Sequence, residues 1–154
     1  MLDPEIGSII KCFNDVNKVK VYIDTVPQDF IIPSMYFPKP LTDGGVDSFS
    51  SYTNDYQMFV KIFEKDSIKA YEKAESIMEY IKKARYIIPI YNPDGTKSNN
   101  FLRIDRLNSR ELESGVRQSG VRQIEVRWRS RRRFVNESVD KINKVNLRMK
   151  LGGK

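Results

Sequence analysis

Histidine is absent from these 154 residues and cysteine occurs once, at Cys12. The first absence removes the commonest general base and a common metal ligand; the second excludes a disulfide within the chain. Neither CxxC nor HExxH occurs, and Gly95-Thr96-Lys97-Ser98 lacks the upstream glycine of a phosphate-binding loop and follows a turn instead of opening a helix. Asp24 and Asp29 are close enough in sequence to share a metal, yet nothing beside them completes a nuclease-like set, so they read as strand-end and loop residues. No catalytic, cofactor or metal site is expected, and a non-enzyme is the better reading. No apolar run approaches the roughly 20 residues needed to span a bilayer. Residues 1–10 carry no basic segment ahead of their apolar residues, so a signal peptide is not expected and the chain reads as intracellular, without a membrane partner.

Arginine is scarce in the first hundred positions, where Arg85 stands alone, and eleven follow Phe101. Residues 1–100 hold 12 Lys+Arg against 14 Asp+Glu, a net of −2, while residues 101–154 hold 15 against 6, a net of +9. Arginine presents a rigid fork to carboxylate or phosphate where lysine presents a point charge, so its clustering points to an interface or to phosphate contacts. A solvated strand face is the plain alternative.

The densest part of that cluster lies in Gly120–Phe134. At period 2 it places Ile124, Val126 and Trp128 on one side and Glu125, Arg127, Arg129, Arg131 and Arg133 on the other, the alternation of a half-buried strand. One face packs; the other presents a ladder of guanidinium groups. Arg132 and Phe134 continue the apolar side past Ser130, so the strand is expected to leave its sheet near Arg131.

From the start of the chain, Asp3-Pro4 begins a helix over 4–17 with Ile6, Ile9, Ile10, Phe13 and Val16 as its stripe, and Cys12 beside the stripe reads as a small buried hydrophobe. Val19, Val21 and Ile23 alternate with Lys20, Tyr22 and Asp24, giving a strand that Pro27 ends. Prolines at 27, 33, 38 and 40 confine the next strand to 34–37, at a sheet edge. Residues 41–54 read as a long polar loop with an Asp43-Gly44-Gly45 turn, mobile until it meets a partner. Tyr56, Met58, Val60 and Ile62, backed by Phe59 and Phe63, predict a central strand covered on both faces.

Asp66 or Ser67 caps a helix over 67–84 with Ala70, Ala74, Ile77, Met78 and Ile81 as its buried stripe. Strands over 86–91 and 101–107 follow as a hairpin around Asn92-Pro93-Asp94-Gly95. A tandem repeat, SGVRQ at 114–118 and 119–123, precedes the arginine ladder. Five is odd, so both copies cannot keep register in one strand. Asn136 caps a third helix with Val139, Ile142, Val145 and Met149, and residues 150–154 read as a disordered tail. The expectation is one domain over 1–154, of α+β class, with a mixed or mostly antiparallel sheet of about five or six strands flanked by two or three helices.

Val21-Tyr22-Ile23-Asp24-Thr25-Val26-Pro27-Gln28-Asp29-Phe30, Pro33-Ser34-Met35-Tyr36-Phe37, Val60-Lys61-Ile62-Phe63, the dispersed Ala70, Ala74 and Ile77, and Gly120-Val121-Arg122-Gln123 leading into Val126-Arg127-Trp128 together resemble one family. It is that of the tail terminator, or tail completion, proteins of long-tailed bacteriophages and contractile-tail particles. The resemblance runs in element order over most of residues 4–135; the tandem SGVRQ copy departs from it. It implies a virion protein of the tail, assembled in the host cytoplasm. Its copies would form a homohexameric ring that caps the tail tube, stops its polymerisation and meets the head–tail connector protein, with sheath protein a further candidate partner. DNA would pass through such a ring without specific binding. The candidate interface residues are Arg122, Arg127, Arg129, Arg131 and Arg133 with Asp43, Asp47 and Tyr52. The ladder is expected to meet carboxylates of a neighbouring copy or of the tube, on a face wet enough that Arg129→Glu with Arg131→Glu would leave the fold intact. The alternative from another class is a nucleic-acid-binding domain using the basic C-terminal third. Its weakness is that Trp128 alternates away from the arginines, so stacking and phosphate contact would not share a surface.

Overall fold

The computed structural model describes residues 3–112 and 120–135. The expected third helix, the first SGVRQ copy and the expected C-terminal tail lie outside the described residues. Helix α1, Pro4–Val16, starts where the Asp3 carboxylate accepts the Glu5 N–H at 2.8 Å and Pro4 supplies a pre-set φ. It buries Ser8, Ile9, Cys12 and Phe13. Helix α2, Ser67–Lys83, is capped by Asp66, whose carboxylate accepts the Lys69 N–H at 2.8 Å. Its buried residues are the five read from the 3.6-residue period: Ala70, Ala74, Ile77, Met78 and Ile81.

Seven strands follow these sequence signals in part: β1 Lys20–Ile23, β2 Ser34–Phe37, β3 Leu41–Ser48, β4 Ser51–Glu64, β5 Ile87–Tyr91, β6 Lys97–Glu111 and β7 Gly120–Arg133. They form one sheet in the order β1-β2-β4-β7-β6-β5, with β3 added beside β4. Only β1 and β2 pair in parallel, so the sheet is mixed and the fold is α+β.

The strand beyond the expected number comes from the segment read as a loop. Residues 41–48 pair with β4 from Leu41↔Gln57 to Ser48↔Ser51, and β4 itself starts at Ser51. A ladder of backbone hydrogen bonds needs no apolar side chains of its own when a long neighbour supplies the template, and an all-exposed strand leaves no alternation to read. β2 is also not at an edge: it lies between β1 and β4, because Pro33 and Pro38 flank the strand and remove no donor inside it. β7 keeps its place in the sheet through Arg133, two residues beyond the expected exit.

Both helices cover the same face. Ile9 and Phe13 of α1 and Ala74, Ile77 and Ile81 of α2 join Met35, Phe37, Met58, Val60, Ile62, Ile124, Val126 and Trp128 in one core. On the reverse face Phe59 and Phe63 are half-buried, and Phe30 from the β1–β2 connection packs on Phe63 at 4.7 Å between ring centroids. The expected two-sided cover is therefore corrected: among the described residues no helix lies on that face. Gly120 fixes how closely α2 approaches the sheet, since a Cβ there would stand 2.0 Å from the Asp66 carbonyl oxygen. The second SGVRQ copy thus enters β7 at the one residue that can pass beneath the helix cap.

Candidate protein interface: a charged three-stranded arm

Beyond the helices, Ser51–Gln57 of β4 continues between β3 on one side and Arg127–Arg133 of β7 on the other. The register sets its rungs: Asp43↔Asp55↔Arg129, Gly45↔Thr53↔Arg131 and Ser48↔Ser51↔Arg133. Side chains alternate across a strand, so these rungs share the face turned away from the helices. There Arg129 Nε donates to Asp55 Oδ1 at 2.6 Å, Arg131 Nε reaches Asp47 Oδ2 at 2.9 Å, and Arg127 pairs with Glu125. The ladder does meet carboxylates, but of its own chain: Glu125 on β7 itself, Asp55 on β4 one strand away and Asp47 on β3 two strands away. Arg133 has no carboxylate within ion-pair distance among the described residues. A cleft of about 390 Å³ opens on this face between Leu41, Asp43, Asp105, Arg127 and Arg129.

The electrostatics follow from these contacts. The hydrogen bond to Asp55 raises the Arg129 guanidinium above its ordinary value. Burial pushes the Glu125 carboxyl up, and hydrogen bonds from Arg127 and Gln57 outweigh it, leaving the group below the usual carboxylate range. Asp43, Asp47, Asp55 and Glu125 match the four ladder arginines in number, so the face as a whole is close to neutral.

The helix-facing side of the arm is held differently. Tyr56 stacks on Trp128 at 4.9 Å between centroids and 14° between planes. Arg132 donates to Asp3 at 3.1 Å and to the Tyr56 hydroxyl at 3.2 Å, tying the arm to the start of α1. Burial acts to lower the Arg132 guanidinium, and the bond to Asp3 more than reverses it. Tyr52 lies here, 5.3 Å from Phe134, and not with the ladder. Arg122 is also on this side of β7, where its Nε donates to Ser109 Oγ at 2.8 Å and its guanidinium sits 4.8 Å from the Tyr71 ring centre on α2. Of the eight candidate residues, the structure thus brings together Arg127, Arg129, Arg131, Arg133, Asp43 and Asp47, and places Arg122 and Tyr52 on the opposite face. Asp55 and the Asp3–Arg132 pair were missed, because their signal is cross-strand register, which composition does not carry; Glu125, on the ladder face by period 2, was not among the candidates although it pairs with Arg127 two positions along the same strand.

Outside the arm, Cys12 is buried, which together with the nearby Asp15 carboxylate pushes its thiol up to about 11, consistent with a packing role. Asp24 sits at φ +69° with Lys39 Nζ 3.5 Å from its carboxylate. No group of three or more potential ligands for a metal occurs among the described residues, and no described helix is long and apolar enough to cross a membrane.

No protein-family model matches the chain. The uncharacterized protein YqbJ of Bacillus subtilis (strain 168) is 36% identical over 109 residues, spanning 71% of this chain and 75% of that one. XkdJ of the phage-like element PBSX, from the same organism, is 30% identical over 130 residues, 84% of this chain and 86% of that one. The chain belongs to the YqbJ and XkdJ family. That family has a member in a phage-like element. A chain in the structure of the virion of the native gene transfer agent particle aligns with a TM-score of 0.49 and 12% identity, over 84% of this chain and 94% of that one.

Proposed function

We propose that this member of the XkdJ family is a structural subunit of a phage tail that forms a ring on the finished tube, ends its polymerisation and presents a surface to the head connector. The observation that carries the reading is the arm: a bare sheet extension whose β3 side is acidic and whose β7 side is basic, on a chain of phage-related kinship. Two unlike patches on one subunit are what a head-to-tail ring requires. The role is non-catalytic, and the tube protein, connector and sheath are its expected neighbours. The hairpin tip suits contact with such a neighbour, since Phe49 is 94% exposed and Val46 80% exposed. A duplex passing through the ring would meet little net charge from a ladder already paired with Asp47, Asp55 and Glu125.

Deleting the gene in a cell that produces the particle should give tubes of irregular length without attached heads, read by electron microscopy. Tails of normal length joined to heads would sink the proposal. The nucleic-acid alternative requires tight duplex binding that weakens with salt at a slope of about −0.9 for each phosphate contacted; its aromatic partner, Trp128, is 1% exposed and stacked beneath Tyr56.

A further inference from the structure

The arm has two edges, and they differ in sign. β3 pairs with β4 and is exposed along all eight residues, carrying Asp43 and Asp47. On the other side, β6 follows β7 only as far as Trp128, so from Arg129 to Arg133 no strand covers that edge among the described residues. Each edge offers unpaired backbone groups to another strand. β3 and β7 both run antiparallel to β4 and so run parallel to each other.

Three joins between copies are open to such an arm. Joining β3 to β3 sets Asp43 and Asp47 against their own equivalents, and joining β7 to β7 does the same for Arg129, Arg131 and Arg133. Only β3 on β7 opposes the signs, and like charges placed face to face suppress the other two. The register agrees. Continuing the rungs without a shift brings the next copy's Asp43 beside Arg129, its Gly45 beside Arg131, and its Asp47 and Ser48 beside Arg133, the ladder residue that lacks a carboxylate among the described residues. We propose that β3 of one copy adds in parallel to the Arg129–Arg133 edge of the next, so that the ring is a head-to-tail chain of β-sheet joins. This rests on the ring reading and specifies which surface makes it. A head-to-tail contact of this kind closes into a ring or runs on as a filament, whereas the two like-charged joins would stop at a dimer.

Cysteine pairing tests it, since Cys12 is buried and leaves the surface free of thiols among the described residues. Gly45→Cys and Arg131→Cys, mixed as separate proteins under mild oxidation, should cross-link to each other on a non-reducing gel, and neither should cross-link to itself. The double variant should give a ladder of covalent oligomers ending at the mass that native mass spectrometry finds for the wild type. Asp43→Arg, at an exposed site without an ion pair among the described residues, should shift the wild-type assembly to monomer. Self-linking of Gly45→Cys alone or Arg131→Cys alone overturns the inference in favour of a two-fold join. A wild type that assembles while the mixture stays unlinked and Asp43→Arg still assembles overturns the edge join and leaves the ring reading standing. A wild type that stays monomeric at all concentrations and on the tail, with no cross-links, removes both.

Discussion

From Met58 to Ile62, β4 buries Met58, Val60 and Ile62 completely beneath the two helices, opposite Val126 and Ile124 of β7. From Ser51 to Gln57 the same strand, paired with the same partner, has only half-buried side chains beyond Ser51 and is held by backbone hydrogen bonds, the Tyr56–Trp128 stack and exposed ion pairs. Burial stabilises the first stretch by on the order of 1.5–3 kcal/mol for each large side chain, while exposed ion pairs contribute little. Regular hydrogen bonding is therefore a poor guide to local stability in this sheet. The arm is the segment that can open while the helix-covered half stays folded.

The largest effect should come from attacking the cover. Ile77→Asp puts a carboxylate into a site with no exposure, which costs several kcal/mol or forces a large upward pKa shift; the cooperative thermal transition should be lost, and a native melting curve would refute the assignment of α2 as the lid. Gly120→Ala comes next, because its Cβ must push the Asp66 backbone off β7. Overpacking of this kind costs about 1–3 kcal/mol, to be read as a lowered urea midpoint with an unchanged slope. Arg129→Glu should act on the arm alone. It places a third carboxylate on the rung of Asp43 and Asp55, so amides of β3 and Ser51–Gln57 should exchange faster while those of Met58–Ile62 keep their protection. Equal acceleration in both stretches would erase the distinction between them. The smallest effect is a pH dependence. The Glu125 carboxyl is depressed in the folded chain, so its contribution is present above the unfolded carboxylate value and is lost as pH falls through the lower folded one. Glu125→Gln should flatten the stability profile in that acid window, and an identical profile would show that the pair with Arg127 adds nothing.

The ion pairs of Arg129 and Arg131 bear on an expectation drawn from wetness alone. The ladder face is exposed, but Asp55 and Asp47 reach it from strands that the sequence shows as polar loop. Period and capping were legible: both helix stripes and the β7 alternation lie where the spacing puts them, since burial follows local periodicity. The face of Arg122 was legible too, because it shares parity with Ile124, Val126 and Trp128. Tyr52 was not, as parity means nothing until β4 is known to begin at Ser51. The cross-strand ion pairs of the arm depend on register between distant segments, Asp55 with Arg129 at 74 positions apart and Asp47 with Arg131 at 84, and no local pattern encodes that.

The span of the β4–β7 ladder, from Glu64↔Gly120 to Ser51↔Arg133, governs what a ribosome must manage. β7 is complete 69 residues after β4 ends, an interval of roughly 3–14 s at 5–20 residues per second. Throughout it β4 is a nascent strand whose longest partner has yet to be made, and Met58-Phe59-Val60-Lys61-Ile62-Phe63 is its stickiest part. Lys61 is the only charge in that run, and a charge inside an apolar strand opposes the addition of one newborn chain to the next.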